Sequence, residues 1–181
     1  MRVAYRVQQF LAALCVRGPV AQAELQPYLS AAQITLFRTM PATEQRHALA
    51  VLRTLERKGY LQPSLAQAAL LHDVGKVVTP LTRGEQGRSI AIWYRVAAVL
   101  LKAADATLLE RVALNEPGSW RFPFHVLVHH AERSAERAAV AGTDPLAVAL
   151  IRWHHTSPQD SGLDSHDQPL LAALRSADEH N

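Results

Sequence analysis

A single cysteine, Cys15, stands in 181 residues, so no disulfide can form within the chain, and a reducing cytoplasm is the expected compartment. Long hydrophobic runs are missing too. The longest, from Ile90 to Leu101, is interrupted by Arg95 and falls short of the ~20 apolar residues that span a bilayer. No membrane partner is expected. The opening MRVAYRVQQFLAALC is split by Arg6, Gln8 and Gln9 and reads as an amphipathic helix rather than a signal peptide. Lysine is scarce, 3 against 16 arginines, so the sequence pI of 9.4 at a net charge of only +3 reflects arginine usage and no basic tract. Those arginines are scattered at helical spacing beside glutamates. The pattern describes a solvated surface and argues against nucleic acid as a partner, while arginine's fork of donors stays suited to phosphate. No strand-like alternation, internal repeat, low-complexity tract or Gly-rich phosphate loop occurs either.

What is present is an Ala- and Leu-rich composition, 49% apolar and 19% charged, suited to one medium helical domain. Apolar residues recur at three- and four-residue spacing, and Gly or Pro punctuates them. Helices are expected over Val3 to Val16, Ala21 to Leu29, and Ala31 to Thr39, the last opened by a Ser30/Gln33 capping box. This gives an N-terminal helical extension over 1–40, which either covers the core or builds a homodimer surface. The rest, 41–181, forms the main helical domain. Thr43 is read as the cap of a helix from Glu44 to Lys58 that Gly59 ends in left-handed geometry. Pro63 opens a helix ending at His72 and Asp73. Further helices are expected over Arg88 to Lys102, Ala106 to Leu114, Pro123 to Ala141, Leu146 to His155 behind an Asp144–Pro145 start, and Gln168 to Ser176.

Nine histidines punctuate this pattern. His47, His72 with Asp73, His129 with His130, His154 with His155, and Asp178 all fall on or at the ends of expected helices. Imidazole and carboxylate together suit Mn, Fe, Zn or Mg. In ALLHDVGK, three polar groups interrupt an apolar stretch, and a buried carboxylate must be paired, hydrogen-bonded or metal-bound. An Asp73–Lys76 ion pair is the alternative use of these side chains, but it leaves His72 unexplained.

ALLHDVGK resembles the signature of the HD-domain metal-dependent phosphohydrolases, in which adjacent His and Asp hold a catalytic divalent ion. EQRHALAVLRTL is similar to the family's earlier metal-binding helix and LLAALRSADEHN to its closing helix, so the resemblance covers about residues 42 to 180. It implies an all-α, HD-domain-like helical bundle with His47, His72, Asp73 and Asp178 as metal ligands. VHHAERSAERAA and ALIRWHH resemble the branch with two metals. That likeness implies His130, His154 and His155 as further ligands and Asp73 as a bridge, with His129 competing for the place of His130. His125 and His166 are left at the pocket edge or surface. After His155 the chain reads TSPQDSGLDS instead of Gly-Tyr-Pro, which sets it apart from the cyclic-dinucleotide phosphodiesterases. Gly75 and Lys76 stand where guanosine-tetraphosphate hydrolases carry an acidic pair.

The resemblance implies hydrolysis of a phosphorylated small molecule or nucleotide, as a mono- or diester, by water activated on one or two divalent ions (Mn, Fe, Mg or Zn). Asp73 and Lys76 are the expected catalytic residues, and Lys76, Arg83 and Arg88 the expected phosphate contacts. A non-catalytic module of the same fold, sensing a ligand or binding a protein, is the competing class. Oxygenase chemistry on a related scaffold is a third.

Overall fold

The computed structural model describes residues 20–60, 62–78, 90–105 and 107–181, and every regular element among them is helical, as the sequence periodicity requires. The expected helix from Val3 to Val16, Cys15, and the loop arginines Arg83 and Arg88 lie outside the described residues. Helix α1 spans Ala31–Phe37, α2 Ala42–Arg57, α3 Pro63–Leu71, α4 Ile92–Ala104, α5 Leu108–Val112, α6 Phe122–Val140, α7 Pro145–Trp153 and α8 Gln168–His180. Short 3-10 turns stand at Gln22–Glu24, Val74–Lys76 and Pro158–Asp160. No described helix is long and apolar enough to cross a membrane.

Local chemistry sets most of the ends. The Ser30 hydroxyl accepts from the Gln33 N–H and the Gln33 side chain accepts from the Ser30 N–H at 2.7 Å, closing the expected box at the start of α1. Gly59 terminates α2 at φ 84°, a conformation that costs glycine nothing. At α7, the Asp144 carboxylate accepts from the N–H groups of Leu146 and Ala147, and Pro145 occupies a first-turn position where no N–H is needed.

Five elements depart from the sequence expectation, among them α4, which starts at Ile92 instead of Arg88 and runs to Ala104. The stretch from Ala21 to Leu29 forms only the 3-10 turn Gln22–Glu24 followed by hydrogen-bonded turns, and Pro27, which has no N–H to donate, interrupts a continuous helix there. Thr43 is not a cap: α2 starts at Ala42, two residues earlier than expected, behind Pro41 and without a side-chain capping bond. Helix α5 is shorter than Ala106 to Leu114. Helix α8 runs past Ser176 to His180, since Ala177 is fully buried and keeps the inner stripe going for another turn.

The core forms around α3. Leu65, Ala68, Ala69, Leu70 and Leu71 are at most 1% exposed, so this helix is apolar on nearly every side and is wrapped by α2, α7 and α8. Each buried leucine contributes roughly 2 kcal/mol. Leu25, Phe37 and Met40 join the same cluster as Leu52, Leu150 and Leu171. Helix α6 packs along α7 and against the turn Val74–Lys76. A smaller cluster of Ile90, Phe122 and Val126 fixes the α4 side.

Candidate metal centre

Five of the helices that pack together end or pass at one point. Helix α3 stops at Leu71, and the His72 N–H still bonds to Ala68 O, so His72 closes the helix and Asp73 begins the next turn. Helix α7 stops at Trp153 and places His154 and His155 on the turn beyond it. His130 lies midway along α6, His47 in the second turn of α2 and Asp178 in the last turn of α8. His72, Asp73 and His154 are essentially inaccessible to solvent.

Backbone carbonyls fix the rings. His72 Nδ1 lies 2.9 Å from Ala69 O, His130 Nδ1 2.8 Å from Leu127 O and His154 Nδ1 2.6 Å from Ile151 O, each three residues back. A carbonyl only accepts, so all three Nδ1 atoms carry the proton. In the neutral rings the lone pair is therefore on Nε2, as in a ring whose second nitrogen orients it for metal ligation.

These three rings gather with His47, His155 and Asp178 in two trios. The ligand atoms of His47, His72 and Asp178 lie within 4.8 Å of one another, and so do those of His130, His154 and His155. In the first, His47 Nε2 is 2.8 Å and His72 Nε2 3.5 Å from Asp178 Oδ1. In the second, His130 Nε2 and His155 Nε2 are 2.8 Å apart. One of that pair must donate, and the carbonyl on His130 Nδ1 makes His155 the donor. Asp73 lies between the trios and divides its oxygens. Oδ2 is 3.4 Å from His72 Nε2 and 4.0 Å from His47 Nε2, while Oδ1 is 3.8 Å from His130 Nε2.

Three buried atoms here, His72 Nε2, Asp73 Oδ1 and His154 Nε2, find no hydrogen-bond partner among the described residues. An unmet buried polar group costs about 1–3 kcal/mol. A cation in each trio would meet all three, and the donor set of imidazole nitrogens and carboxylate oxygens fits Mn, Fe or Zn. The residues fit divalent ions.

Charge is arranged to match. Burial pulls the His72 ring down, but Asp73 and Asp178 beside it outweigh burial and push it up to about 9. Burial and the neighbouring Lys76 drive His130 down to about 4, and burial beside His72 holds His154 well below the usual range. The carboxyls of Asp73 and Asp178 are held far down against burial, Asp73 by His72 and Lys76, Asp178 by His47 and His72. Lys76 Nζ donates to Asp73 Oδ2 at 2.6 Å. The ion pair and the histidine cluster thus coexist.

All seven metal-ligand positions named from the sequence, His47, His72, Asp73, His130, His154, His155 and Asp178, meet here. His130 is buried in the cluster. His129 is exposed and its ring lies 4.4 Å from that of His125, outside it. His166 is exposed and pairs with Asp167. Two neighbours were missed. Glu44, nine-tenths buried at the head of α2, pairs with Arg95 of α4. Burial pushes the Glu44 carboxyl up, but Lys76 and Arg95 hold it below its ordinary value. Its only sequence signal is its place three residues before His47. Compared with known proteins, the chain matches no protein family, no curated protein and no solved structure.

Proposed function

We propose that this chain is a metal-dependent phosphohydrolase that holds two divalent ions in its two trios with Asp73 between them, as its resemblance to HD-domain phosphohydrolases implies. One observation carries the reading: three buried polar atoms, His72 Nε2, Asp73 Oδ1 and His154 Nε2, are left without a hydrogen-bond partner among the described residues, inside a ring of further imidazoles and a carboxylate.

Bound ions would acidify a water and offset charge on the phosphoryl oxygens. The chain's own residues do the rest. Asp73 and Asp178, both held ionised, supply the negative charge that retains cations. His155 is exposed and His47 is a quarter exposed, so substrate approaches from their side while His72 and His154 close the floor. Burial lowers Lys76, but Asp73 and Glu44 outweigh it and raise the ammonium above its ordinary value. It therefore acts as a fixed cation on a phosphoryl oxygen and not as a base. Arg83 and Arg88, in the segment that follows, complete the proposed phosphate contacts. The substrate class is a phosphomonoester or phosphodiester, nucleotides included.

The test is elemental mass spectrometry on the purified protein beside Asp73→Ala, followed by Mn, Fe, Mg or Zn loading and a panel of chromogenic phosphate mono- and diesters. Two ions per chain and metal-dependent turnover, both lost in the variant, are expected. Hydrolysis undiminished in Asp73→Ala, or no metal in either protein after loading, overturns the proposal.

A further inference from the structure

The turn Val74–Lys76 separates Asp73 from the rest of its neighbours and is too short to hold itself. It has one internal bond, Lys76 N–H to Asp73 O at 3.0 Å, and isolated 3-10 turns have little stability of their own. Val74 and Val77 are at most 1% exposed, so their carbonyls need partners inside the protein.

Helix α6 supplies those partners. Arg137 Nη1 donates to Val74 O at 2.8 Å, and Arg133 donates through Nε to Gly75 O at 3.2 Å and through Nη2 to Val77 O at 3.4 Å. Between them the Ser134 hydroxyl accepts from the Gly75 N–H at 2.8 Å. Arg133 also lies over the Phe122 ring, 5.9 Å from its centre, which limits its swing. The backbones approach so closely that a Cβ on Gly75 would stand 2.3 Å from His130 O.

Arg133, Ser134 and Arg137 follow His130 by three, four and seven residues, the spacing of a single helix face. That face therefore carries a ligand of the second trio and also grips the backbone that carries Asp73 and Lys76. His130 Nε2 and Asp73 Oδ1 stand 3.8 Å apart across the joint that these four contacts span. Lys76 holds the other oxygen, Oδ2, from the same turn.

We propose that Arg133, Ser134 and Arg137 are positioning residues that fix Asp73 Oδ1 against the second trio and so govern occupancy by the second ion, an inference resting on the two-ion reading above. The two trios differ in their dependence on this grip. In the first, His47 and His72 have Asp178 as a second carboxylate, delivered by α8. In the second, His130, His154 and His155 have no carboxylate but Asp73 among the described residues within 4 Å. Loosening the turn therefore weakens the second ion selectively.

The test loads the full-length wild type, Arg133→Gln, Arg137→Gln, Arg137→Lys and Ser134→Ala with Mn(II). It reads ions per chain by elemental mass spectrometry, affinity by titration, and the exchange coupling of paired Mn(II) by electron paramagnetic resonance. With the far-UV circular dichroism unchanged, the glutamine variants are expected to keep one ion and bind the other roughly 10- to 100-fold more weakly, losing the coupled signal. Arg137→Lys should recover much of it. Two ions with wild-type affinity and coupling in every variant overturn the grip and leave the two-ion reading intact, as does equal weakening of both ions. A wild type that binds no Mn(II) overturns the two-ion reading itself. Should a glutamine variant fail to fold, Ser134→Ala and Arg137→Lys carry the same comparison.

Discussion

Burial and charge drive the two groups of histidines in opposite directions. His72 rises from 6.5 to about 9 because two carboxylates flank it, so in metal-free protein it stabilises the fold below pH 6.5 and loses that contribution as pH climbs toward 9. His130 falls from 6.5 to about 4, so its contribution is present above pH 6.5 and is lost as pH drops toward 4. His154 acts in the same sense as His130. Thermal melts of chelator-treated protein should therefore give a Tm that is highest near neutral pH and falls on both sides. A Tm that climbs steadily from pH 4 to pH 9 would contradict the assignment. At this scale the sequence was informative wherever a polar residue interrupts an apolar run, as His72 and Asp73 do. It was silent on Glu44 and Arg95, whose pairing spans 51 residues and leaves no local trace.

Between elements, the tightest joint is that of α6 with the turn after α3. Gly75→Ala would place a methyl group 2.3 Å from His130 O and 2.7 Å from Ser134 N, against backbone that cannot swing aside. The expected cost is about 3 kcal/mol, at the upper end of overpacking penalties, with metal content reduced as well. Urea denaturation of the metal-free variant beside wild type measures the first effect, and a loss under about 0.5 kcal/mol would mean that the two backbones part easily. Element ends were legible where capping chemistry is explicit: Ser30 with Gln33, Gly59, and Asp144 with Pro145. They were misread where polar neighbours hide the apolar stripe. The helix end at Ser176 undercounts α8 because the polar run RSADEH masks the small Ala177, which keeps the spacing of Leu170 and Leu174 and carries the helix through the turn that delivers Asp178.

Taken as a whole, the molecule ties five helices or their ends to one centre, so ions held there, as proposed, would couple to the fold. Ions that bind only the native chain stabilise it by about 4 kcal/mol when free metal exceeds the dissociation constant a thousandfold. For a chain of this size that raises Tm by roughly 10 °C. Differential scanning calorimetry of Mn-loaded and chelated protein checks this, and coincident transitions would speak against metal held in the core. The all-α class was legible because three- and four-residue spacing is a property of each segment alone. The arrangement of helices around α3 was not, since it depends on which apolar stripes face one another. The exposed Trp93, Val96, Val99 and Leu100 on α4 show the limit of pattern reading, because the same spacing that marks a core stripe here faces solvent.

The division of ligands along the chain also sets different closure costs for the two trios. His130 and His155 are 25 residues apart, whereas His47 and Asp178 are separated by 131. Closing the longer loop costs about 1.5 kcal/mol more in chain entropy. The α6–α7 hairpin thus brings its three imidazoles together at lower chain-entropy cost than the trio that needs α8 to deliver Asp178 to His47. The site proposed to depend most on Arg133 and Arg137 in the finished protein is thus the one whose histidines cost least to bring together.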